Sequence, residues 1–210
     1  MGKTTIEWTE FSTNPIRARN PKTNKTGHFC VKISAGCANC YAAHFNLQHR
    51  GGIGTGLDFI PQNESKLDIF LDQAELEGII RRKKSTTYFW CNMSDLFGPW
   101  VKDEWLDQCF AAMIRTPWHI HQILTKRPER MRAYLESRIK VPPNVWVGVS
   151  VENEAAALER VPLLLTTPAA IRFLSCEPLL GRLDLSRWLQ TGRCQSRGGG
   201  PLAFRCGLEA

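Results

Sequence analysis

From residue 86 onward the chain alternates apolar runs with amphipathic stretches, roughly every 25–35 residues. That rhythm restricts it to parallel β/α units. Thr86–Met93 is aromatic and apolar, as a strand buried on both faces should be. Asp103–Arg115 follows with Trp105, Leu106, Cys109, Phe110 and Met113 at helical spacing. The alternation then predicts strands over His119–Thr125, Val145–Val151 and Ile171–Cys176. It predicts helices over Pro128–Arg138 and Glu154–Leu165, with Pro128 in the first turn. A helical turn is expected near Leu185–Leu189.

Upstream the pattern is weaker. Residues 1–27 show no clear period and read as an irregular segment. Phe29–Ile33 is the candidate first strand, Gly51–Gly56 a loop, and Ile69–Arg81 a helix with Ile69, Phe70, Leu76, Ile79 and Ile80 on its apolar side. Five strands are too few for a closed eight-stranded barrel of about 250 residues. The fold expected is therefore α/β, a partial (β/α) TIM-type barrel or open sheet, forming one domain over residues 1–190.

In such folds the site lies beyond the carboxyl ends of the strands. Polar residues fall there repeatedly: Ser94 and Asp95, Lys126 and Arg127, Glu152 and Asn153, then Glu177. Any one of them alone is a helix cap or a surface charge. Their joint placement points to a binding rim.

Cys30, Cys37 and Cys40 lie in Cys-Val-Lys-Ile-Ser-Ala-Gly-Cys-Ala-Asn-Cys, Cys30 within the candidate first strand and the other two in the loop that follows it. Three thiolates can hold an iron–sulfur cluster with one iron left open. A zinc site closed by His28 or His44, a Cys37–Cys40 redox pair and ordinary buried thiols fit the same spacing. Eight cysteines without an apolar leader point to a reducing, cytoplasmic compartment, and no run is long enough to span a bilayer. The net charge of +7 suits an anionic partner such as nucleic acid, and equally a merely basic surface.

Several motifs together carry a resemblance: Ile6–Thr9, the Cys30–Tyr41 loop, Asn92–Phe97, Leu124–Arg130, Gly148–Asn153 and Ser175–Leu179. In this order they resemble the phage gene-product 37/68 family, whose members look like divergent radical S-adenosylmethionine (SAM) proteins. The similarity runs from about Thr5 to Leu189. It implies a [4Fe–4S] cluster on Cys30, Cys37 and Cys40, with SAM chelating the open iron. Reductive cleavage would then give a 5′-deoxyadenosyl radical. The loop differs from the common radical-SAM motif, with six and then two intervening residues, and Asn39 stands where an aromatic is usual.

On that resemblance Ser94 and Asp95 are expected to receive the SAM amino group. Lys126 and Arg127 are expected to hold a carboxylate or phosphate. Ser150, Glu152 and Asn153 would meet ribose hydroxyls, with Glu177 on the same rim. The substrate is left open, with nucleic acid and a partner protein as candidates. A non-catalytic, zinc- or cluster-stabilised binding protein is the alternative. Residues 191–210 lack the further strand and turn expected of relatives, so a truncated or altered, disordered tail is expected there.

Overall fold

The computed structural model describes residues 1–48, 52–138, 140–188 and 202–204. Its main sheet begins with β1 (Gly2–Lys3) and β2 (Phe11–Thr13). A three-stranded antiparallel sheet follows, from β3 (Ile16–Arg19), β4 (Thr26–Gly27) and β5 (Asp68–Leu71) in the order β4-β3-β5. Helix α1 (Tyr41–Gln48) lies between β4 and β5, and α2 (Gln73–Arg81) follows β5.

The regular half then runs β6 (Thr87–Trp90), α3 (Asp103–Ile114), β7 (Ile120–Thr125), α4 (Pro128–Arg138), β8 (Val145–Ser150), α5 (Glu154–Thr166) and β9 (Ile171–Ser175). The strands order as β1-β2-β6-β7-β8-β9, with a further strand β10 (Leu202–Phe204) parallel to β9. Every pair from β2 onward is parallel, and only β1 is antiparallel to its neighbour. Among the described residues no pairing joins the two ends of this sheet. No helix is long and apolar enough to cross a membrane among them.

The strands sort their side chains by alternation. Val145, Val147 and Val149 of β8 belong to the main core with Ala157, Val161 and Leu164 of α5. On the other face Gly148 sits in register with Phe173. A Cβ at Gly148 would meet the Phe173 ring at 2.7 Å, which explains a glycine in an otherwise β-branched run. Trp8 covers the same face, its ring 4.6 Å from Phe89 and 6.1 Å from Phe173.

Two expectations are corrected. Phe29–Ile33 forms no strand. The first parallel strand is β2, inside the segment read as irregular, because three residues with a central serine carry no legible period. Phe29 is apolar for another reason: its buried ring packs edge-on against Trp100 at 5.1 Å and Phe59 at 6.5 Å. The span Ile69–Arg81 is also not one helix. Ile69 and Phe70 pair with β3, and Asp72 then caps α2 by accepting the Glu75 N–H at 3.3 Å. Of the tail expected to be disordered, residues 191–201 and 205–210 lie outside the described residues. Leu202–Phe204 takes the strand position beside β9.

His121, fully buried in β7, is fixed as a neutral ring. Its Nδ1 accepts the Trp90 indole N–H at 3.1 Å. Its Nε2 lies 2.9 Å from the Thr116 hydroxyl, which itself donates to the Ala112 carbonyl at 2.8 Å. Burial, then the neighbouring His119, pushes its pKa down to about 3. The unfolded chain therefore takes up a proton below about pH 6.5 that the folded chain refuses. Stability should fall as pH drops from about 6.5 toward the folded value, by up to about 1.4 kcal/mol per pH unit from this group. Urea titrations between about pH 6.5 and 4.5 should show that slope, and His121→Gln should lower it by one proton.

Candidate functional site

The carboxyl ends of β6, β7 and β8 converge on the segment that carries the first cysteines. After β6, the Ser94 hydroxyl donates to the Phe29 carbonyl at 2.6 Å. After β7, Arg127 donates through Nη2 to the Val31 carbonyl at 2.9 Å and through Nη1 to Asp95 Oδ2 at 2.8 Å. After β8, Glu152 Oε1 accepts the Gly36 N–H at 3.4 Å. Three strand ends thus hold residues 29–36 from different sides.

The Asp95–Arg127 pair is nearly buried, at 7% and 12% side-chain exposure. Asp95 Oδ1 also accepts the Thr125 hydroxyl at 2.7 Å and the Phe97 N–H at 2.9 Å. Its Oδ2 also accepts the Lys126 N–H at 3.3 Å. An ionised carboxylate offers about four acceptor positions, and here all are taken. The Arg127 guanidinium lies 4.9 Å from the centre of the Trp100 ring. Asp95 and Arg127, expected to meet a ligand, instead bind each other and the chain.

Glu152 is likewise committed. Its Oε2 accepts from Arg160 Nη1 at 2.9 Å, in a pair only 1% and 2% exposed. Arg160 Nη1 also donates to the Ser150 carbonyl at 2.8 Å. Burial pushes the Glu152 carboxyl up, but the Ser34 hydroxyl, its own backbone amide, Arg160 and Lys126 outweigh that and hold it below the ordinary value. A Cβ at Gly36 would stand 3.1 Å from the Glu152 carboxyl carbon, so glycine is what lets the loop approach this closely. Asn153 caps α5, its side chain accepting the Ala156 N–H at 2.9 Å. Both residues were expected at ribose hydroxyls, and both are occupied within the protein.

Three expected residues retain freer side chains. Lys126 is half-buried, makes no ion pair among the described residues, and lies within electrostatic reach of Cys37 and Glu152. Ser150 ends β8, buried, opposite Ser175 of β9. Glu177 is exposed in the loop after β9.

Cys30, Cys37 and Cys40 are free and half-buried around a short 3₁₀ turn, Ala35–Cys37. Burial and then Asp95 push the Cys30 thiol up to about 12, against the pull of Arg127. Burial also pushes Cys37 up, but backbone groups at Ile33 and Ser34, the Ser34 hydroxyl and Lys126 bring it below the ordinary thiol value. Cys30 and Cys40 pack on one small cluster of Ala42, Ala43 and Phe59. Among the described residues no three His, Cys, Asp or Glu side chains stand close enough to hold a metal ion. The three cysteines are free thiols on one short loop, two of them on the same apolar patch, but as placed they do not form a three-ligand site. Neither histidine completes a zinc site as placed. The His28 ring is buried, 3.3 Å from the Ile16 carbonyl, and its pKa falls to about 4 through burial and then Arg17. His44 is exposed, in electrostatic reach of Asp58.

Residues 3–196 match the family described as Protein of unknown function (DUF5131). The chain belongs to that family. No curated protein and no solved structure matches it. Within this DUF5131 chain, the residues that sequence reasoning missed are the ones that hold the rim together: Thr125, Arg160, Trp100 and Ser34. Arg160 did leave a signal. It is a cation on the same helix face as Ala156, Ala157, Val161 and Leu164, where only a buried partner tolerates one.

Glu152→Ala would strand the Arg160 charge in the core. Breaking a buried pair on one side costs about 3–5 kcal/mol, whereas replacing both charges by apolar groups costs much less. Urea unfolding should therefore show Glu152→Ala destabilised by about 3 kcal/mol or more, and Glu152→Leu/Arg160→Met largely recovered.

Proposed function

We propose that this chain is a radical-SAM-type iron–sulfur protein, with Cys30, Cys37 and Cys40 holding a [4Fe–4S] cluster at the carboxyl rim of an open, partial TIM-type barrel. The observation that carries the reading is the convergence of Ser94, Arg127 and Glu152 on the cysteine segment. The sequential order of parallel strands from β2 through β9 supports the partial barrel. The motifs shared with the phage gene-product 37/68 family support the cofactor.

When bound, such a cluster supplies the electron for reductive cleavage of SAM. The residues of this chain do the positioning. Ser94, Arg127 and Glu152 fix the backbone of the cysteine loop, so that the thiols are presented on a braced segment. The backbone groups at Ile33 and Ser34 favour the Cys37 thiolate, the form that ligates. Lys126 is the rim cation left to meet a ligand carboxylate or phosphate, and Ser150 a hydroxyl left to meet a ribose. Glu177, exposed in the loop after β9, is the further candidate for the same rim. Asp95, Arg127 and Asn153 serve the scaffold rather than the ligand. A ligand-open thiolate cluster also fits a reducing, cytoplasmic setting.

Anaerobic reconstitution with iron and sulfide tests this. The expected result is about four irons per chain, an electron paramagnetic resonance signal after reduction that SAM perturbs, and 5′-deoxyadenosine on turnover. The Cys30/Cys37/Cys40→Ser variant should lose all three. Stoichiometric zinc with no iron uptake would instead favour a non-catalytic, zinc-stabilised binding protein.

A further inference from the structure

Six cations lie at the end of the sheet away from the cysteines, where β2, β6, β7 and β8 begin. Lys3 pairs in register with Phe11 at the start of β2. Arg82, Lys83 and Lys84 occupy the turn into β6, Arg115 the turn into β7, and Lys140 the turn into β8. None of the six makes an ion pair among the described residues, and all but Arg82 are exposed. The turns 82–86, 115–119 and 140–144 contain no acidic residue. Glu7 and Glu10 precede β2 at this end, and Glu10 is engaged by the Thr87 N–H at 2.9 Å. At the carboxyl rim, by contrast, Lys32, Arg127, Arg130 and Arg160 are each matched to a carboxylate.

This basic end is also held rigid. The Arg82 guanidinium lies 4.6 Å from the Phe11 ring, and the Lys83 ammonium 4.9 Å from the Trp118 ring. Trp118 donates its indole N–H to the Arg82 carbonyl at 3.0 Å, and Ser85 donates to the Trp118 carbonyl at 2.8 Å. Asn144 ties the next turn in, its side-chain amide donating to the Met113, Thr116 and His119 carbonyls at 3.1–3.3 Å. Three consecutive turns therefore form one braced surface, with little ordering left to do on binding.

Compensation of helix dipoles explains only part of this charge, because that effect fades beyond the last helical turn. Arg115 is the C-cap of α3, and the Lys83 ammonium donates to the Ile80 carbonyl in the last turn of α2 at 3.5 Å, but Lys84 lies past the Arg82 cap of α2, and Lys140 lies past Arg138 of α4. We propose that this end of the molecule binds the phosphate backbone of a nucleic acid. Exposed lysines and arginines that make no ion pair among the described residues, interleaved with a half-buried indole, match a sequence-independent polyanion surface. The surface is separate from the cysteine rim, so it stands whether or not a cluster is bound.

Fluorescence anisotropy with a labelled thymidine oligomer of about 20 nucleotides, and with a duplex of equal length, tests the proposal. If about five phosphates are neutralised, affinity for the single strand should fall about 100-fold between 50 and 200 mM salt. Lys83→Glu/Lys84→Glu/Arg115→Glu should weaken binding at least about 100-fold at the lower salt and flatten the salt dependence. Lys83→Ala/Lys84→Ala should weaken it less, in the same direction. Lys22→Glu/Lys25→Glu, at the turn between β3 and β4, should leave it within about twofold, as should the Cys30/Cys37/Cys40→Ser variant. The melting temperatures of the surface variants should match wild type. Three results would overturn the assignment: no binding of either oligonucleotide at low salt, equal loss in the two charge-reversal variants, or binding to phosphatidylserine vesicles without binding to oligonucleotides.

Discussion

A buried ion pair between two strand ends fixes the architecture of the rim. Asp95 follows β6 and Arg127 follows β7, and their 2.8 Å contact spans the gap between those two connections. Arg127 then spends its other terminal nitrogen on the Val31 carbonyl, which brings the segment carrying Cys30 onto the rim. The pair offers little net stability over a well-packed apolar substitute, but it sets position, because each charge must find the other. Glu152 and Arg160 repeat the device one strand further along, anchoring Gly36. The cysteine loop is thus fastened at Val31 and Gly36 by carboxylate–guanidinium pairs that are themselves shielded from water.

This arrangement explains why the strand-end residues were legible as a group but not one by one. Sequence periodicity placed Ser94, Asp95, Lys126, Arg127, Glu152 and Asn153 correctly beyond their strands. It could not say whether a polar side chain there faces a ligand or another polar side chain. Asp95, Arg127, Glu152 and Asn153 turned inward to one another and to backbone groups, whereas Lys126 and Ser150 did not. The long β/α units were readable because β6 to β9 are continuous apolar runs and Pro128 and Asn153 mark helix starts. The short pieces were not. Three residues of β2 hold no period, and in β5 two apolar residues join smoothly onto the apolar side of α2 with only Asp72 between them.

The two ends of the sheet carry different chemistry. At the carboxyl end most charges are matched, Lys126 apart, and the thiols are half-buried, which suits the small cofactor proposed there. At the amino end cations stand unmatched on braced turns, which suits a long polyanion. Under the two proposals the sheet separates the nucleic acid from the cofactor. Membership in DUF5131 assigns neither role, so the physical arrangement of the side chains carries the argument.

The bracing of the cysteine segment by Asp95 and Arg127 is the claim on which the site depends. Its direct test is the alkylation rate of Cys30 in native Asp95→Asn/Arg127→Met, a variant that removes the pair without leaving a lone buried charge. With global stability measured in parallel, Cys30 should react at least about tenfold faster than in wild type, because the segment loses its Arg127–Val31 tie and with it the burial that suppresses the thiolate. Unchanged protection of Cys30 in that variant would contradict the account.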